Sequence, residues 1–328
     1  MDPYKVLGLT LNQDGTVSRI SAMPLSSAFP NGESLPDSTA TVSSKDVPLN
    51  PSHNTTVRLF LPNSLPPSKS LPLILYFHGG GFVLFHAASA PFHASCVHLA
   101  ASVPAIVASV DYRLAPEHRL PAAFDDARDA LRWAQSAVAS DPWVRDFVDP
   151  TKFFLMGTSA GATICYHVAL DLISSKLNLS PLRLSGLVLD QPYFGGIART
   201  ASELAFANDK ILPLSANDLL WKLALPLGSD WDHEYCNVVA KEAKEVKFLP
   251  PCLVRGHNGD PLFDRQKVFV EMLKKVGVTV VAKMGSPGHH AVELFNSAKA
   301  TEMVTDVKNF VYGGAEIGTP GARLENKL

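Results

Sequence analysis

Cysteine is scarce and scattered in this chain: four in 328 residues, at positions 96, 165, 236 and 252. No two form a C-x-x-C pair, which argues against both a disulfide framework and a zinc knuckle. Charge is thin as well. Charged residues make up 18% of the chain, and 29 Lys+Arg against 31 Asp+Glu leave a net charge of −2. No basic run is present to meet the phosphates of a nucleic acid or an anionic membrane surface. Long apolar runs are missing too, since none reaches the roughly 18 residues of a membrane span. The opening Met1-Asp2-Pro3-Tyr4-Lys5-Val6 lacks the charged-then-apolar order of a secretion signal, so a cytoplasmic protein is expected. Hydrophobic residues, by contrast, supply 46% of the chain, enough for a large core and too many for disorder.

Residues 24–52 are rich in Pro, Ser, Asp, Asn and Thr and read as an irregular segment hugging the surface. The pattern then changes. Thr56-Val57-Arg58-Leu59-Phe60-Leu61 alternates like a half-buried strand, and Leu71–Phe77 is apolar throughout, as a strand covered on both faces should be. Short runs of the same kind recur at 104–110, 153–156, 185–190, 251–256 and 278–283. Helix-length stretches separate most of them, at 120–138, 160–175, 262–276 and 298–311. This alternation predicts an α/β fold with a mostly parallel sheet and helices on both faces. The stretch 194–248, with a helical piece at 215–224, breaks the alternation and reads as an insertion between two core strands.

The sharpest local signal is Gly157-Thr158-Ser159-Ala160-Gly161, lying between the apolar Phe153–Met156 and a plausible helix start. A serine on so tight a strand-to-helix turn needs very small residues two places to either side, and it is lifted clear of the sheet as a nucleophile. Composition alone would produce roughly 0.1 such strings in this chain. A second string, His78-Gly79-Gly80-Gly81-Phe82, follows the strand 71–77 directly and would arise by chance roughly 0.003 times. Glycines let backbone amides turn toward a ligand. With the amide of Ala160 they could hold the oxyanion of an acyl-transfer reaction. No Gly-Lys-Ser/Thr follows and no G-x-G-x-x-G occurs, so nucleotide binding is not expected.

A serine nucleophile needs a base and an orienting acid, in the chain order Ser, Asp, His for this architecture. Asp260 leaves the end of the strand 251–256. Asp264 lies a helical turn further on and reads as a cap or surface charge, and His257 is too close to Asp260 along the loop to be a strong rival base. Past the next strand come His289 and His290, and spacing admits either as the base. Other features have plainer readings. Asp232-His233-Glu234-Tyr235-Cys236 carries metal-ligand types, but adjacent ligands on one loop fit tetrahedral geometry poorly, so no metal is expected. Trp221, among Leu219, Leu220 and Leu223, reads as lid core or as a pocket wall. Tyr193 and Phe194 follow a strand at the edge of the sheet where open α/β folds bind ligands. Arg113 and Glu117 read as a structural ion pair beneath the glycine loop.

These motifs, with Ser109-Val110-Asp111-Tyr112-Arg113-Leu114-Ala115-Pro116-Glu117-His118-Arg119-Leu120-Pro121, resemble the hormone-sensitive-lipase-like branch of the α/β-hydrolases. Within that branch the chain is most similar to the plant carboxylesterases related to the gibberellin receptor. Asp14–Arg19, Ser44–Val47 and Asp232–Asn237 extend the likeness over nearly the whole chain. The resemblance implies an eight-stranded, mostly parallel sheet in a single domain over 1–328, with a helical cap from about 1–50 and 194–248. It makes Ser159 the nucleophile, Asp260 the acid and His290 the base, with Gly80, Gly81 and Ala160 supplying the oxyanion-hole amides. Phe82, Tyr193, Phe194, Trp221 and His289 are then expected to wall the pocket. The implied activity is hydrolysis of small to medium hydrophobic carboxylic esters without a cofactor, by a monomer or weak homodimer. Two features depart from the family pattern: Ala162 stands where a second glycine is usual, and His289 where an aromatic is common. The relatives also supply alternatives, a hormone receptor or a non-hydrolytic lyase or cyclase. His290 disfavours the receptor, because the gibberellin receptors lack that histidine.

Overall fold

The computed structural model describes residues 2–20, 23–34, 41–65, 70–240 and 244–313; the rest of the expected 1–328 domain, including 35–40 of the expected cap, lies outside the described residues. The chain opens with a short helix α1 (Pro3–Val6) and a two-stranded antiparallel ribbon, β1 (Leu9–Leu11) and β2 (Val17–Arg19). A nine-stranded sheet follows. Its strands are β3 (Glu33–Ser34), β4 (Thr41–Asn50), β5 (Thr55–Pro62), β6 (Leu71–Phe77), β7 (Ile106–Asp111), β8 (Val148–Thr158), β9 (Leu184–Asp190), β10 (Cys252–His257) and β11 (Val280–Ser286). Their spatial order is β11-β10-β9-β8-β6-β7-β5-β4-β3. Neighbours from β11 to β7 pair in parallel, and β5, β4 and β3 add on antiparallel. The eight strands expected are therefore nine; the extra one is the two-residue β3, which extends the sheet only at its edge.

Helices α2 (Ala90–Ser102), α3 (Ala122–Ser140), α4 (Pro142–Phe147), α5 (Ala160–Ser175), α6 (Ala201–Ala205), α7 (Leu214–Ala224), α8 (Phe263–Lys275) and α9 (Ser297–Tyr312) complete the order. The period-2 geometry of a strand explains why the central strands read as unbroken apolar runs. On β6, Leu71, Leu73, Leu75 and Phe77 join one core with residues of α3, α5 and α8. Ile74 and Tyr76 point the other way and join a second core with α2 and α9. The same division splits β8 into Phe153 and Leu155 on one side and Phe154 and Met156 on the other. Each such side chain contributes about 1.5–3 kcal/mol on burial.

Two of the longer elements, β4 and α2, were not expected. β4 occupies ten residues of the segment read as irregular, pairing with β5 from Val42↔Pro62 to Asn50↔Thr55. Its polar Ser43-Ser44-Lys45-Asp46 and its proline hid it. Pro48 is tolerated because β3 covers only the start of β4, leaving the rest of that strand as a sheet edge. Helix α2 buries Phe92, His93, Cys96, Val97, Leu99 and Ala100, too many faces for an amphipathic signature.

The N-terminal segment and the insertion meet over the carboxyl ends of the strands, with α1 packing on α7. Leu120 donates its amide to the Ala224 carbonyl, and the Arg119 guanidinium donates to the carbonyls of Lys222 and Leu225. All four cysteines are buried free thiols. No helix among the described residues is long and apolar enough to cross a membrane.

Candidate active site

Ser159 lies between β8 and α5 with φ 54° and ψ −120°, a conformation closed to nearly all L-residues. The turn holds it there. A Cβ on Gly157 would run into the Gly161 carbonyl, and one on Gly161 would run into the Phe77 carbonyl. The Ser159 amide donates to the Asp190 carbonyl at 2.8 Å, tying the turn to the end of β9.

The Ser159 hydroxyl lies 2.9 Å from His290 Nε2, and His290 Nδ1 lies 2.9 Å from Asp260 Oδ2. A carboxylate can only accept, so Nδ1 carries the proton and Nε2 is left to accept from the serine. Asp260 is fully buried, and its oxygens also accept from the Leu262 amide and from Gln266 Nε2. Burial would push the His290 pKa down, but the Asp260 carboxylate outweighs it, with Glu293 and Asp209 adding to the effect, and the pKa is raised. His289 points elsewhere, its Nδ1 within 2.9 Å of the His290 carbonyl. Asp264 accepts from the Ser202 amide and pairs with Lys267, and His257 pairs with Glu293.

The glycine loop faces the serine. A Cβ on Gly79 would lie 3.3 Å from Ser159 Cβ, so the backbone of this strand end passes within contact distance of that serine. Among the described residues, the amides of Gly80, Gly81 and Ala160 donate to no protein acceptor. The loop is braced from below: Tyr112 donates its hydroxyl to the His78 carbonyl at 2.8 Å, and its ring stacks on the His78 ring. Burial lowers the His78 pKa to about 4, so this ring is neutral. From above, Arg19 donates to the carbonyls of Val83 and Ala115 at 2.7 Å each and pairs with Glu117. On α7, Leu220 packs so closely that a Cβ on Gly81 would overlap its methyls. The expected Arg113–Glu117 pair is not formed. Arg113 pairs with the buried Asp126 instead, because Asp126 on α3 lies beneath it while Glu117 faces the N-terminal ribbon.

Of the expected pocket residues, Phe82, Tyr193 and Trp221 form one aromatic cluster. The Tyr193 and Trp221 rings stack at 4.6 Å and 5°, and Phe82 lies 5.7 Å from Trp221. Phe194 turns away from them, onto Tyr166 and Phe269 in the core.

Sequence reasoning read Leu220 only as lid core or pocket wall beside Trp221, and it missed the other supports: Arg19, Gln266, and a buried polar group of Gln191, Arg255 and Glu293. The one available signal was Arg255, a charged residue in the middle of an otherwise apolar strand. Metal-type side chains gather among the described residues at His53, Asp126 and Asp129, within 4.8 Å of one another. Asp126 is already neutralised by Arg113, and Asp129 accepts from Asn50 and Arg132, so the group is a set of hydrogen bonds.

A family model described as alpha/beta hydrolase fold matches residues 74–294. The chain is an α/β-hydrolase. Within that superfamily it belongs to the plant carboxylesterases. It is 43% identical to the probable carboxylesterase 8 of Arabidopsis thaliana, over 97% of this chain and 95% of the relative. It is 39% identical to a 3-O-acetylpapaveroxine carboxylesterase of Papaver somniferum, over 94% and 97%. Among solved structures, the α/β-hydrolase resembles an esterase from Pyrobaculum calidifontis, with a TM-score of 0.71 and 26% identity over 84% of this chain and 85% of that one.

Proposed function

We propose that this carboxylesterase hydrolyses small to medium hydrophobic esters through an acyl-enzyme formed on Ser159. The observation that carries the reading is the relay Ser159–His290–Asp260, with both links at 2.9 Å, beside a glycine loop in contact with the serine. His290 takes the serine proton as Oγ attacks the ester carbonyl. Asp260 keeps the imidazole in the correct tautomer and stabilises the imidazolium. The oxyanion forms opposite the amides of Gly80, Gly81 and Ala160, with the positive end of the α5 dipole behind Ala160. His290 then protonates the leaving alcohol and activates the water that releases the acid. Phe82, Tyr193 and Trp221 form a buried aromatic cluster next to the glycine loop. The apolar character of that cluster favours apolar acyl or alcohol groups. The N-terminal segment and 194–248 act together as the cap.

The test pairs turnover with a covalent probe. An organophosphate ester should modify the protein stoichiometrically, peptide mass spectrometry should find the adduct on Ser159, and His290→Ala should slow labelling greatly. Short-chain nitrophenyl esters should be hydrolysed with the same dependence. A label on another residue, or labelling at wild-type rate without His290, would overturn the mechanism.

A further inference from the structure

Beneath the relay lies a buried polar group that the chemistry above does not use. Glu293 sits three residues beyond His290 and is nearly inaccessible. Its Oε1 accepts from Arg255 Nη1 at 2.8 Å and from His257 Nε2 at 2.7 Å, both on β10. Its Oε2 accepts from Gln191 Nε2 at 2.5 Å. The other end of that amide, Gln191 Oε1, accepts from the backbone N–H of Ala291 at 2.8 Å, one residue after the histidine. Ala291 has φ 58°, so the chain turns sharply there and needs a fixed point. Arg255 also donates to Asp190 at 2.6 Å and to Asp306 at 3.1 Å. The Asp190 carbonyl is the one that holds the Ser159 amide.

We propose that Glu293 is a positioning residue: by orienting the Gln191 amide it fixes the Ala291 turn, and so places the His290 imidazole between Ser159 and Asp260. The inference rests on His290 acting as the base. The polarity of the chain of bonds is the argument. Ionised Glu293 can only accept, so Gln191 must turn its NH₂ toward it and its oxygen toward the Ala291 N–H. A glutamine at 293 presents a donor as well as an acceptor, and no longer dictates which way Gln191 lies. Gln191 itself is fully buried, so a reversed amide has no water to satisfy it. Several charged groups set the local field. Arg255, His257, Asp190 and Asp306 face Glu293 from β10, β9 and α9, while Asp260 and Asp209 act on His290. Burial opposes ionisation of Glu293, but His257 and Arg255 outweigh it and hold its carboxyl at about 2. The resulting negative charge is among the groups that raise the His290 pKa.

Three variants separate these effects in steady-state hydrolysis of a nitrophenyl ester across pH. Glu293→Gln should lower kcat on the order of 10- to 100-fold with KM nearly unchanged, the cost of a misplaced base. It should also move the acid limb of kcat/KM to lower pH. Glu293→Asp keeps the charge, so its acid limb should stay at the wild-type position. Gln191→Met keeps the charge and the volume but drops the link to Ala291; kcat should fall while the limb stays put. Arg255 retains Asp190 and Asp306 in every variant, so its guanidinium is never stranded, whereas His257 loses its carboxylate partner in Glu293→Gln and is expected to be neutral there. Wild-type kcat and pH profile in a folded Glu293→Gln enzyme would overturn the proposal, as would a loss expressed only in KM. Should Glu293→Gln not fold, folded Gln191→Met decides it: reduced kcat supports the role and wild-type kcat refutes it. His290→Ala, run alongside, separates the two readings. Retained turnover there sinks the base assignment itself, whereas loss there with an unaffected Glu293→Gln sinks only the positioning.

Discussion

The backbone at Ser159 invites a comparison of two dead enzymes. Ser159→Ala and Ser159→Gly both remove the hydroxyl, and both leave His290 Nε2 without its 2.9 Å partner. They differ only in the Cβ, held at φ 54° and ψ −120°. A side chain in such a region costs about 1–3 kcal/mol of strain, which glycine does not suffer. Against this, the glycine variant has the more flexible unfolded chain, a penalty of about 0.4–1 kcal/mol. Strain is the larger of the two, so Ser159→Gly should be the more stable protein by about 1 kcal/mol, and at most about 2.5. With an unfolding entropy of about 2.1 cal/mol/K per residue, 1 kcal/mol corresponds to about 1.5 °C in Tm for a chain of 328 residues. Urea titration followed by tryptophan fluorescence, backed by calorimetry, resolves a difference of that size. Neither variant should retain more than the residual 10³–10⁴-fold catalysis over water that binding and amide contacts provide, as a rough bound. A Ser159→Ala protein as stable as Ser159→Gly would mean that the strain at Ser159 is no larger than the about 0.4–1 kcal/mol of unfolded-state flexibility, and the argument would fail.

Other outcomes follow from the same geometry. Because the His290 pKa is raised and the base must be neutral, kcat/KM should climb with pH through a limb above the ordinary histidine value of about 6.5. Stability should run the opposite way. The Asp260–imidazolium pairing contributes fully below the unfolded-state value and is lost as pH rises through the folded one, a trend readable in Tm against pH. His290→Ala should cost orders of magnitude in kcat, while His289→Ala, whose ring lies against the His290 carbonyl, should change KM or specificity by far less; the reverse ranking would place the base one residue earlier. Trp221→Ala should destabilise the fold by about 3–5 kcal/mol by removing the stack on Tyr193, as measured by urea titration.

The parts most legible in the sequence were those dictated by local sterics. Gly157 and Gly161 are imposed by the turn itself, so the serine could be found from five residues. The strand runs were equally plain where burial on both faces demands continuous apolar residues, as in Leu71–Phe77. Long-range contacts left no such trace. Arg19 reaches carbonyls at Val83 and Ala115, and the partners of Glu293 come from two strands, so nothing in the neighbouring sequence announces either role. Choosing between His289 and His290 had the same difficulty. Both lie on one loop, and only the three-dimensional path of that loop decides which ring reaches Asp260. Arg113 and Glu117 were paired by nearness in sequence, whereas the helix beneath and the ribbon above drew them apart.

Arg19 and Leu220 grip one glycine loop from places some two hundred residues apart in the chain. Under the proposed mechanism, the roof that meets an incoming substrate is thus also the scaffold of the amides aimed at its carbonyl. Selection for a new substrate cannot remodel that roof freely, because a change that shifts either grip also detunes the rate. Exchange between relatives should therefore succeed when residues 2–20 and 214–231 travel together as one cassette. Grafting either alone should yield proteins that fold and bind but turn over poorly. Proteolytic trimming before residue 20 should silence the enzyme without unmasking its site.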